Sequence, residues 1–105
     1  MREMAVRKSL EERVVVKGER SELLERCRTA LQRGGFSKID VNSVLFQVDA
    51  RYRKFTTSGT LLLSLLPVPE GVEISMRSTA NADNIYAIFR SPNQKILRAF
   101  KDNLS

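Results

Sequence analysis

Between Ser37 and Thr79 the chain offers four stretches of strand-type alternation joined by connections of only a few residues. A parallel pairing needs a crossover of a dozen residues or more, so strands joined this tightly run antiparallel. The clearest stretch is Leu45 to Lys54, where Phe46, Val48, Ala50 and Tyr52 alternate with Gln47, Asp49, Arg51 and Arg53. Before it, Ser37, Ile39 and Val41 alternate with Lys38 and Asp40, and Asn42-Ser43 marks a turn. After it, Thr57-Ser58-Gly59 reads as a turn and Thr60 to Leu66 as the most apolar strand. Pro67-Val68-Pro69-Glu70-Gly71 reads as a tight connection, because proline has no N–H to give a ladder. Val72 to Thr79 alternates again, with Val72, Ile74 and Met76 on one face.

Helix signals flank this meander. Ser21 is a suitable N-cap with Glu22 in the first turn. Leu23, Leu24, Cys27, Ala30 and Leu31 then form one apolar stripe, and Gly34-Gly35 stops the helix. Ser91-Pro92 starts a terminal helix with Ile96, Leu97, Phe100 and Leu104 as its stripe. Ahead of the first helix, the β-branched run Val14 to Val16 favours a strand from Arg13 to Lys17, ended by Gly18. Residues 1–12 read as a flexible arm. Ala80 to Asn84 reads as a polar loop, and Ile85 to Phe89 fits a helical turn or a strand equally well.

The order is β-α-β-β-β-β-α, which predicts an α+β fold with one domain over residues 13–105. An antiparallel sheet commonly buries one face. Each helix has a single stripe, so both helices are expected on that one face. The predicted core joins Phe46, Val48, Leu61, Leu63, Ile74 and Met76 to Leu23, Leu24, Leu31, Ile96 and Phe100. In element order, from Arg13 to Leu104, the chain resembles the TBP-like fold or a cut-down Bet v1/START-like helix-grip domain. The first resemblance implies a DNA-binding saddle, which needs two such units. The second implies an apolar pocket between sheet and terminal helix, for whose larger form this chain is short.

Composition narrows the chemistry. With 105 residues, 42% of them hydrophobic and 29% charged, the chain suits one folded domain. Its one cysteine excludes an intramolecular disulfide, and the absence of histidine removes histidine acid–base chemistry and most zinc sites. Gly34-Gly35 follows a helix rather than opening one, so no phosphate-cradling loop is present. No metal-ligand spacing occurs. The expectation is a non-enzymatic protein with no cofactor and no metal. The net charge of +6 lies mostly in the first half, interspersed with Glu11, Glu12, Glu19, Glu22 and Glu25. It suits an anionic partner such as nucleic acid, although a solvated surface is the simpler account. The most apolar run, Leu61 to Leu66, is far short of the about 20 residues of a membrane span. The first ten residues lack a signal-type apolar stretch, so the expected location is the cytoplasm.

The candidate site residues each have a plainer reading. Cys27 lies within a helical stripe, where packing explains it better than reactivity. Asp49 and Glu73 could form a carboxylate pair, but arginines share their faces, so cross-strand ion pairs are expected. Arg51-Tyr52-Arg53-Lys54-Phe55 mixes cations and aromatics, yet alternation turns Tyr52 away from both arginines. Leu62 and Leu66 point away from Leu61, Leu63 and Leu65. They mark either a self-association surface or a central strand shielded by arginine stems. The favoured function is a small cytoplasmic binding or interaction module, acting through the open sheet face or a shallow pocket under the terminal helix. One alternative is nucleic-acid binding through Lys38, Arg51, Arg53 and Arg77. Another is binding of a lipid-type ligand by Phe46, Val48, Leu63, Met76, Ile96 and Phe100.

Overall fold

The computed structural model describes residues 9–54, 57–80 and 92–104. The elements are β1 (Ser9–Val16), α1 (Arg20–Arg33), β2 (Ser37–Asn42), β3 (Gln47–Lys54), β4 (Thr57–Val68), β5 (Gly71–Ala80) and α2 (Pro92–Lys101). They form an α+β domain around one five-stranded sheet in the order β1-β5-β4-β3-β2, antiparallel throughout. The meander supplies four neighbours in sequence. α1 then carries the chain across the sheet, because β1 and β2 lie on opposite edges. α1 packs over β2, β3 and β4, and α2 over β5, β4 and β1, both on the same face.

The buried face follows from the register. Val48 lies opposite Leu63, which lies opposite Met76. Ala50, Leu61 and Ser78 form the next inward row, and Leu65 and Ile74 another. Val48, Leu61, Leu63, Ile74, Met76, Leu23, Leu31, Ile96 and Phe100 are all 0% exposed. Phe46 departs from the expected core. Its backbone is left-handed, with φ 55°, and it packs half-buried at the core's margin. The Arg20 guanidinium lies 3.7 Å above its ring, a cation–π contact worth about 0.5–1 kcal/mol at an exposed site.

Element ends shift where tertiary pairing outweighs local signals. β1 begins at Ser9, so Ser9 to Glu12 join the sheet rather than the arm. β5 is long enough to pair with them, and the Ser9 and Thr79 hydroxyls lie 3.0 Å apart. Glu19, not Ser21, holds the N-cap position of α1, without a side-chain capping bond, and Arg20 opens the first turn over Phe46. The turn before β3 extends through Phe46, since the Asn42 Oδ1 accepts from the N–H groups of both Val44 and Leu45. Thr57 to Gly59 pair with Lys54, Arg53 and Tyr52 and are strand rather than turn. Pro67 and Val68 also join β4. The Leu65 N–H points to β3's side, toward the Phe46 carbonyl. Two residues on, Pro67 faces the same side beyond the end of β3, so its missing N–H leaves no partner wanting. The expectations for residues 81–91, including the Ser91 cap, and for Phe55 lie outside the described residues.

Two glycines seat α2. A Cβ on Gly59 of β4 would lie 2.8 Å from the Ile96 Cδ1 and 2.5 Å from the Thr79 carbonyl oxygen. A Cβ on Gly34 would lie 2.5 Å from the Ala99 carbonyl oxygen. Gly34 is therefore small for the sake of α2. Stopping α1 falls to Gly35, whose φ of 87° admits the Phe36 N–H to the Leu31 carbonyl at 3.0 Å. Near the start of α2 the Ser78 hydroxyl donates to the Asn93 side-chain oxygen at 2.9 Å, both residues being buried.

Chemical denaturation should resolve these contributions. Phe100→Ala is expected to lose about 3–5 kcal/mol, as for a fully buried aromatic residue. Gly59→Ala should lose about 1–3 kcal/mol, because the methyl would meet the β5 backbone at Thr79 and Ala80 as well as the Ile96 side chain. A neutral Gly59→Ala would mean that both β5 and Ile96 give way to the methyl at little cost.

Candidate functional site

The sheet's second face is uncovered by any described element. Its middle row runs Glu11, Arg77, Leu62, Asp49 and Asp40 from β1 to β2. On one side lie Ser9, Thr79, Thr60 and Arg51, and on the other Arg13, Ser75, Ser64, Gln47 and Asn42. Val15, Glu73 and Leu66 form a further row. Alternation sets this composition, because each inward residue leaves its neighbours outward.

The predicted residues divide as follows. Arg51, Arg53 and Arg77 share the open face. Arg77 donates to Glu11 at 3.4 Å. Arg51 and Arg53 make no ion pair with another described residue. Lys38 is exposed on β2, where φ 49° accompanies a break in register, so it stands apart from the other three. Leu62 is half-buried at the centre of the face, and Leu66 is 57% exposed toward the end of β4. Val15, 52% exposed, flanks Glu73 from the other side. Asp49 and Glu73 sit on β3 and β5 with β4 between them, so they are not neighbours, which removes a carboxylate pair. Glu73 lies instead 3.9 Å from Arg13, and Arg13 lies 3.5 Å from Glu11. Such exposed pairs set pattern more than stability.

The hydrophobic-ligand residues are mostly core. Val48, Leu63, Met76, Ile96 and Phe100 are 0% exposed and packed together, while Phe46 lies at the margin. A groove does lie beside the terminal helix, displaced from that set. It has a volume of about 300 Å³ and is lined by Tyr52, Lys54, Thr57, Lys95, Arg98 and Asp102, with Ala99 at its side. Sequence reading missed it because Tyr52 and Lys54 come from β3 while the others come from α2 and β4. The visible signal was the terminal helix itself, which carries Lys95, Arg98 and Lys101 and no acid.

Cys27 is 0% exposed in α1, and burial pushes its thiol up to about 12, against a smaller opposing pull from Arg26. Among the described residues no cluster of His, Cys, Asp or Glu could hold a metal ion. Nor is any described helix long and apolar enough to cross a membrane.

No protein-family model and no curated protein sequence matches this chain. Among solved structures, an uncharacterized protein from Rhizobium leguminosarum aligns over 95% of this chain and 98% of its own, with 8% identity and a TM-score of 0.38. A likeness at that level carries no argument about ligand or activity.

A thiol held protonated and enclosed is a poor nucleophile. Cys27 should therefore resist a disulfide reagent in the native protein at neutral pH and react fully once the chain is unfolded in denaturant. Rapid native labelling would show that α1 opens easily.

Proposed function

We propose that the protein is a non-enzymatic interaction module whose binding surface is the open face of the sheet, and that a second copy of the chain is its partner. The observation that carries this is the middle row, where Arg77 and Asp49 flank Leu62 on opposite sides. A two-fold axis running along β4 brings β5 of each copy over β3 of the other. Leu62 then meets Leu62, and each Arg77 meets the Asp49 of the facing chain. A two-fold interface has to be self-complementary in this way. Glu11 and Asp40 come together at the outer edges, where sheet twist spreads the faces apart and Arg13 and Arg77 already hold Glu11. Leu66 and Val15 extend the apolar surface that such packing covers.

Light scattering on a gel-filtration column should give twice the monomer mass for the wild-type chain. Leu62→Lys should give a folded monomer, and Arg77→Asp should weaken the dimer. Adding Asp49→Arg to Arg77→Asp should restore it. A wild-type chain that stays monomeric at high concentration overturns the proposal, as does failure of the charge swap. An interface of this kind should bury more than about 1,000 Å² in total.

A second reading has one observation behind it, the neighbouring Arg51 and Arg53 without ion-pair partners among the described residues. If they contact phosphates, random-sequence DNA or RNA should bind at low salt and release steeply as salt rises, with a slope reduced in Arg51→Gln. No binding at low salt dismisses nucleic acid. The face as a whole argues for the protein partner, since Glu11, Asp40, Asp49 and Glu73 offset its arginines.

A further inference from the structure

The groove beside α2 differs from the open face in having one dominant sign of charge. Lys54 reaches it from the end of β3, and Lys95 and Arg98 from successive turns of α2. Asp102 is its one carboxylate among the described residues. Neither Lys95 nor Arg98 makes an ion pair with another described residue. Between these cations lie two hydroxyl residues, Tyr52 and Thr57, each 8% exposed. The Tyr52 ring is fixed by Phe36, with centroids 5.0 Å apart. Neither hydroxyl has a hydrogen-bond partner among the described residues. Each hydroxyl therefore has a donor to offer a molecule held in the groove.

We propose that this groove binds a small phosphate monoester that carries hydroxyl groups of its own. Arg98 provides a planar fork suited to two phosphate oxygens, and Lys95 and Lys54 provide point charges beside it. The Tyr52 and Thr57 hydroxyls donate to the same oxygens. Asp102 is left to accept from a hydroxyl on the rest of the molecule, which disfavours bare phosphate and selects a polyol ester. The volume of about 300 Å³ admits a ligand of that size. The site lies on the helix side of the sheet, so occupancy does not compete with pairing of two copies through the open face.

Amide-shift NMR on the full chain tests the assignment. Ribose 5-phosphate, inorganic phosphate, ribose and sodium chloride are titrated separately at matched ionic strength. Ribose 5-phosphate should give saturable shifts centred on Tyr52, Lys54 and Thr57 and on residues 95–102, with inorganic phosphate weaker at the same residues and ribose silent. Arg98→Gln, an exposed substitution, should weaken binding about tenfold or more while the spectrum stays folded. Tyr52→Phe, which keeps the ring against Phe36, should weaken it severalfold. The proposal is overturned if phosphate-ester shifts equal those of chloride, scatter over all basic residues, or survive Arg98→Gln. Tighter binding of a short single-stranded oligonucleotide at the same residues would also overturn it, in favour of a phosphodiester.

Discussion

Leu61, Leu63 and Leu65 project from β4 to one side of the sheet, and Leu62, Ser64 and Leu66 to the other. β4 is paired on both sides, so its alternation dictates the inner and outer faces of β3 and β5, and through β5 of β1. A slip of one residue anywhere would send every side chain of that strand to the wrong face. The inner leucines bury completely against α1 and α2, which holds the register in place and makes the open face a consequence rather than a separate design.

The close approach of α2 is the second determinant. Gly34 and Gly59 remove the methyl groups that would hold it off α1 and β4, and Ile96 and Phe100 settle into the space between. Lys101 reaches across to Glu12 of β1 at 2.6 Å. Seated this way, the helix presents Lys95 and Arg98 beside Tyr52 and Thr57, residues far away in sequence.

The open face shows how an uncovered antiparallel sheet stays compatible with water. Arginines and carboxylates are interspersed across its strands, and Ser64, Ser75, Thr60 and Thr79 fill positions between them. Leu62, Leu66 and Val15 are the departures from that rule. They are concentrated on and beside the central strand, with Arg77 and Asp49 on either side of Leu62.

Strand alternation from residue 47 to residue 79, both helical stripes and the α+β class were legible in the sequence, because period 2 and period 3.6 are local properties of a chain. The burial of Cys27 and the outward direction of Arg51 and Arg53 follow from the same periods. Other features were settled only by contacts between distant segments. β1 gained Ser9 to Glu12 because β5 was there to pair with them. Leu45 and Phe46 alternate like a strand but turn, because Asn42 captures the amides and Arg20 covers the ring. Asp49 and Glu73 looked adjacent until β4 came between them. The groove of Tyr52, Thr57, Lys95 and Arg98 has no sequence signature, since packing of α2 on the sheet brings its residues together. Local periodicity chose which face of each element is apolar; long-range pairing decided which elements meet, and so where two hydroxyl residues and three cations come to share one groove.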